Sequence, residues 1–140
     1  MKILLPVDGS DYTKRMLSYI AAHDELVGGG HEFIVFTAVT PVPTYAARFL
    51  DHGVLDAYYR EQAHSVLGPV QKFCEQNGWN VRVSHTTGHA VQAIAAVAAE
   101  EKPDLIVMGT HGHTAFGNVL LGSVASGVLA RCHLPVLLVP

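Results

Sequence analysis

Short apolar runs alternate with helix-patterned segments from one end of this chain to the other, and that alternation restricts the possible folds more than any single residue. Lys2–Val7 is a continuous apolar strand closed by Asp8-Gly9-Ser10. From Asp11 to Val27, apolar side chains at Met16, Leu17, Ile20, Ala21 and Val27 form a helical stripe, with Ser10 placed to cap it and Gly28-Gly29-Gly30 to stop it. Glu32–Val39 is rich in β-branched and aromatic residues and apolar on both faces, as a strand covered on both sides must be. Pro41-Val42-Pro43 ends it and opens a less regular stretch to about Gly53.

A longer helical pattern carries Leu55, Tyr59, Ala63, Val66, Val70, Phe73 and Cys74 on one side, closed by Gly78. Gly68-Pro69 inside it predicts a kink or a break. Trp79–His85 alternates as a half-exposed strand near a sheet edge, and Ala90–Glu101 is an alanine-rich helix broken by Pro103-Asp104. Leu105–Met108 is another buried strand. A glycine-rich loop from Gly109 to about Leu121, a helix Ser123–Arg131 and a strand Val136–Val139 complete the chain. The order β-α-β-α-β-α-β-α-β, without repeat or linker, predicts a single domain over residues 1–140. Its class is α/β: a doubly wound, five-stranded, mostly parallel sheet with helices on both faces. Ligands bind such sheets beyond the carboxyl ends of the strands, where strand order reverses, so the loops after the first, second and fourth strands are the places to expect a site.

Composition removes several alternatives. With 49% hydrophobic and 15% charged residues the chain is unlike a disordered one, and a net charge of -3 offers no general attraction to nucleic acid. Cys74 and Cys132 lie far apart with no C-x-x-C spacing and read as reduced thiols packed as small hydrophobes. The amino terminus is too short an apolar run for a secretion signal, and no segment approaches the ~18 apolar residues of a membrane span. A cytoplasmic location without membrane contact is expected.

The loop after Leu105–Met108 carries the chemistry. It reads Gly109-Thr110-His111-Gly112, nine residues, then Gly122-Ser123. Gly109, Gly112 and Gly122 lack a Cβ, so the backbone there can take positive φ and let a ligand lie against it. The amides of Ser123, Val124 and Ala125 would point out of the last helix with its dipole behind them, which suits phosphate oxygens. The Ser123 hydroxyl either caps that helix or donates to a phosphate. A purely structural role, turning strand into helix, is the competing reading. No Walker lysine follows any glycine, and no G-x-G-x-x-G occupies the first strand-helix turn.

Asp8 is the acid directly after a buried strand at this edge, and an Asx-turn role there is compatible with a ligand role. Nine histidines show no zinc spacing. His111-x-His113 lacks a third neighbouring ligand and Cys132-His133 is no better, so His111 and His113 read as lying along a phosphate path. No catalytic triad or G-x-S-x-G elbow is present. With no lysine or arginine in the glycine loop to neutralise a transition state, any phosphoryl transfer is expected to be slow or absent.

These segments together resemble the universal stress protein family. Pro6-Val7-Asp8-Gly9-Ser10 is similar to the family's start, and Asp104 to Gly112 to its fourth strand. Gly109-x2-Gly112-x9-Gly122-Ser123 is similar to its ATP-binding signature, Leu120–Ala125 to its last helix and Leu134–Val139 to its fifth strand. The resemblance implies a Rossmann-like, adenine nucleotide alpha hydrolase-like fold that binds ATP, or else AMP or ADP, with Mg. It implies that Gly109, Gly112, Gly122 and Ser123 hold the triphosphate, with Val124 and Ala125 adding contacts. Pro6, Val7 and Asp8 would line the adenosine, Asp8 meeting the ribose or a Mg ion, the backbone around Val39 would read the adenine edge, and Met108 would pack nearby. Family members often carry a basic residue where this chain has His113, so charge assistance there would depend on pH. Nothing carries over to Thr40–Gly53, which varies in the family. The resemblance further implies a homodimer through antiparallel Val136–Val139 strands and a stress-response role in which nucleotide changes the conformation offered to a protein partner. A slow ATPase or nucleotidyl-transferring enzyme, and a nucleotide-free dimeric interaction module, are the alternatives.

Overall fold

The computed structural model describes residues 1–27, 29–114 and 117–140. Gly28 of the expected glycine stop therefore lies outside the described residues, as do Ala115 and Phe116 of the glycine-rich loop and the side chain of Val27. The elements in chain order are β1 (Lys2–Pro6), α1 (Asp11–Ala22), α2 (Asp24–Val27), β2 (Glu32–Val39), α3 (Thr44–Ala47) and α4 (His52–Gln76). They continue with β3 (Asn80–Thr87), α5 (Ala90–Glu101), β4 (Leu105–Gly109), α6 (Ser123–Arg131) and β5 (Val136–Val139). The strands form one sheet in the order β3-β2-β1-β4-β5. Every pairing is parallel, so the sheet expected to be mostly parallel is wholly so.

Strand parity divides the core into two layers. On one face Ile3, Leu5, Phe33, Val35 and Val107 meet Met16, Leu17 and Ile20 of α1 and Ala63, Leu67, Val70 and Cys74 of α4. On the other, Leu4, Ile34, Phe36, Ile106 and Met108 meet Ala93, Ile94 and Ala98 of α5 and Ala125 and Val128 of α6. β1, β2 and β4 are buried on both faces, which is why they read as unbroken apolar runs. β3 is the edge strand that its alternation implied. Cys74 is fully buried, and burial pushes its thiol up to about 12, so it packs as a small hydrophobe. Among the described residues no helix is long and apolar enough to cross a membrane.

Four local readings are corrected. The helix expected over Asp11–Val27 breaks at His23, whose ring stacks on Tyr19 at 4.3 Å and whose Nδ1 donates to the Tyr19 carbonyl at 2.9 Å. Ser10 stands at the N-cap of α1, but its hydroxyl makes no capping bond and is buried without a partner. Part of the irregular stretch before Gly53 is the short helix α3, and α4 already begins at His52. The fourth concerns Gly68-Pro69: α4 runs unbroken through Pro69. Its packing against β2 and β3 outweighs the loss of one backbone bond.

One glycine that the sequence did not single out holds α5 against α6. A Cβ on Gly127 would fall 2.6 Å and 2.8 Å from the two Cγ atoms of Val91. Helix propensity alone favours Gly127→Ala by ~1 kcal/mol. Overpacking at this contact reverses the sign, and we expect a net loss of ~1–3 kcal/mol in chemical denaturation, largely recovered by adding Val91→Ala.

Candidate functional site

The chain leaves β1 toward β2 and returns from β3 to β4 on the far side of β1, so strand order reverses between β1 and β4. At the carboxyl ends of the strands around that reversal lies a cavity of about 440 Å³. Pro6, Val7 and Asp8 line it from the end of β1, and Met108 and Gly109 from the end of β4. His111, Gly112 and His113 contribute from the following loop, and Gly122, Ser123, Val124 and Ala125 from the start of α6. Residues expected from separate parts of the chain are thus brought to one cavity.

Val39 is the exception. Its side chain sits in the core layer beneath α1 and α4 and its carbonyl accepts the Gly88 amide at 2.9 Å, while the backbone around it reaches the cavity through Ala38 and Thr40. Strand parity explains this: Phe36, Ala38 and Thr40 point to the cavity side, and Val39 to the other. Those three, with Ala90 and Ile94 of α5, form an apolar wall that sequence reasoning missed. Their parity with Ile34 and the α5 stripe were the signals that would have found them. Thr13, Thr114 and Val119 also line the cavity and were not anticipated.

Asp8 is held firmly. Its Oδ1 accepts the Ser10 amide at 2.9 Å and the Thr13 hydroxyl at 3.0 Å, while that hydroxyl accepts the Asp8 amide at 3.2 Å. The Asx-turn is therefore real, and it leaves Oδ2 turned toward Gly112, where any Cβ would collide with it. The Asp8 carbonyl accepts from His113 Nε2 at 2.7 Å, tying the loop after β4 to the end of β1. Asp8 is the one formally charged residue among those lining the cavity. Among the described residues no group of three His, Cys, Asp or Glu can hold a metal. Oδ2 of Asp8 fits a magnesium ion only as one carboxylate beside nucleotide phosphates, a usual arrangement for that ion.

The glycines of this loop do not use their freedom to take positive φ. Positive φ occurs at Gly9, Gly30 and Gly78 and not at Gly109, Gly112 or Gly122. What these three require is room. A Cβ on Gly109 would lie 2.7 Å from Cβ of Tyr12, so this glycine lets α1 approach β4. On Gly122 it would lie 2.9 Å from the Thr110 carbonyl oxygen, which the Gly122 amide itself donates to at 2.8 Å.

Ser123 is not a cap either. Gly122 takes the N-cap position, and Ser123 is the first helical residue, so the amides of Ser123, Val124 and Ala125 fall in the turn that no intrahelical carbonyl serves. His111 is fully engaged, with Nε2 donating to the Val119 carbonyl at 2.7 Å and Nδ1 paired with the Thr110 hydroxyl at 2.9 Å. It lines the cavity with both ring nitrogens already bonded within the loop. His113 keeps only Nδ1 free of protein bonds among the described residues.

Over its whole length, residues 1–140, the chain matches the Universal stress protein family. It belongs to that family. A universal stress protein of Thermus aquaticus is 34% identical, with 98% of this chain and 96% of the relative covered. Among solved structures, that of MJ0577, a universal stress protein of Methanocaldococcus jannaschii, has a TM-score of 0.83 at 29% identity over 99% of this chain and 94% of its own. A universal stress protein solved in complex with cAMP has a TM-score of 0.64 at 26% identity, covering 100% and 96%.

The tight approach at Gly122 yields a prediction. Its φ of -68° suits any residue, so Gly122→Ala acts only through contact with the Thr110–His111 backbone. We expect ~1–3 kcal/mol of destabilisation by thermal unfolding, with faster amide exchange centred on Thr110–Gly112 and the start of α6.

Proposed function

We propose that this universal stress protein is an adenine-nucleotide-binding regulatory protein whose site is the cavity between β1 and β4. The observation that carries this reading is the convergence of two features on one cavity: the unserved first-turn amides of α6, and an apolar wall from β2 and α5. The amides and the positive end of the α6 dipole suit phosphate, and the wall of Phe36, Ala38, Ala90, Ile94 and Met108 suits a flat purine. Asp8 Oδ2 stands between them, placed for a sugar hydroxyl or for a magnesium ion arriving with ATP. The relative solved with cAMP supports an adenylate as the ligand class.

Binding without efficient turnover fits the lining better than catalysis does. No lysine or arginine lines the cavity among the described residues, so the protein's own side chains offer little positive charge to a phosphoryl-transfer transition state. Regulation follows if occupancy biases how the segment after β4 sits on β1 and so which surface a protein partner meets. We further read residues 1–140 as one functional unit in the cytoplasm, paired as a homodimer. β5 supports the pairing: it is a four-residue edge strand, and a second copy running antiparallel would cover its open side.

The start of α6 allows a clean test. Proline is well tolerated at the first helical position, and Gly122 already holds the extended conformation that suits a following proline. Ser123→Pro therefore deletes one amide donor while leaving the helix intact. By calorimetric titration with adenine nucleotides, with and without magnesium, we expect binding to weaken by ~10-fold or more, since hydrogen bonds to charged groups contribute ~1.5–3 kcal/mol. Ser123→Ala, which keeps the amide, should change much less. Equal affinity in Ser123→Pro and the native chain would remove α6 from the site.

A further inference from the structure

Resting on that nucleotide reading, we infer that the cavity selects adenosine carrying a single phosphate, as a monoester or a cyclic diester, and accepts a triphosphate only together with a divalent cation. The inference comes from the charges that line it. Among the described lining residues Asp8 is the one formally charged, and it is negative. Arg15 of α1 stacks on Tyr12, and neither residue is part of the lining. Its guanidinium lies 5.0 Å over the Tyr12 ring, which in turn meets His111 at 5.2 Å, on the α1 side of the loop.

The histidines do not make up the difference. Both ring nitrogens of His111 are bonded within the loop, and His113 Nε2 is bonded to the Asp8 carbonyl. The fixed positive potential of the backbone thus comes from the first turn of α6, equivalent to roughly half an elementary charge and fading within that turn. That matches one phosphate, which carries about one to two negative charges, and leaves further phosphates without a partner.

Asp8 also lies in the way. Gly112 is the second glycine of the signature, and the free Oδ2 of Asp8 rests against it. A polyphosphate laid along Gly109–Gly112 would run past an uncompensated carboxylate oxygen. A divalent cation between the two reverses that repulsion, because Oδ2 and the phosphates then share it as ligands. A ligand with one phosphate at Ser123–Ala125 avoids the carboxylate without any metal.

The test is calorimetric titration of the full chain with AMP, cAMP and ATP, each in EDTA and in magnesium. In EDTA we expect AMP or cAMP to bind at least ~10-fold more tightly than ATP, and magnesium to close most of that gap. AMP ahead of cAMP marks the site as one for a monoester, and the reverse order as one for a diester. Asp8→Asn keeps an oxygen acceptor for Ser10 and Thr13 and loses the charge. In EDTA it should raise the ratio of ATP affinity to AMP affinity, with an unchanged melting profile as the check on folding. ATP binding in EDTA as tightly as AMP and cAMP overturns the selectivity while leaving the nucleotide reading in place. Failure of all three to bind in both buffers overturns the nucleotide reading itself.

Discussion

The interior position of β1 is the constraint on which the rest of this structure depends. A strand at the middle of a parallel sheet, fed from one side and left on the other, forces the chain to cross from one face to the other. α1 and α4 cover one face and α5 and α6 the other. The loops after β1 and β4 therefore diverge, and the space between them is the cavity. Asp8, just past the end of β1, fastens this point in three ways: its amide and carboxylate to the first turn of α1, and its carbonyl to His113. The crevice is thus a rigid consequence of topology, trimmed by a few short hydrogen bonds.

The segment joining β4 to α6 shows the same economy. The Thr110 amide donates to the Val139 carbonyl at the end of β5, and the Thr110 carbonyl accepts the Gly122 amide, so one residue anchors both the entry and the exit of the loop. His111 adds a second closure to Val119. Glycine is needed at Gly109, Gly112 and Gly122 because Tyr12, Asp8 and the Thr110 carbonyl occupy the space a Cβ would take. The signature spacing is, in this chain, first a packing requirement. Its consequence is that the amides at the start of α6 are presented to the cavity at a fixed place.

Much of the fold was legible in the sequence because its signals are local. The buried strands announce themselves as unbroken apolar runs, and Ser123–Arg131 and Ala90–Glu101 are bounded by glycine and proline where the structure begins and ends them. Long-range packing was not legible. Pro69 sits in an unbroken helix because the sheet holds α4 in place, and His23 ends α1 through a stack on Tyr19 that spacing does not reveal. In the site, most of the chemistry-bearing residues were found from their order along the chain. The backbone around Val39 was expected at the site; strand parity directs the Val39 side chain to the opposite layer and leaves Ala38 and Thr40 on either side of it to line the cavity. The glycines were read as allowing positive φ and close approach, and the structure shows that neighbouring atoms fill the space a Cβ would take. His111 was expected along a phosphate path, and its partners, Thr110 and Val119, become visible only once the loop has closed.

The central claim is that an adenine nucleotide sits in the crevice between β1 and β4 with its phosphate at the start of α6. The measurement that bears on it most directly is the amide nitrogen–proton correlation spectrum of the native protein, recorded during titration with AMP. The account predicts large shifts at Ser123, Val124 and Ala125, with smaller ones at Val7–Asp8, Ala38–Thr40 and Met108–Gly112. An unchanged spectrum, or shifts confined to residues away from these segments, would contradict it.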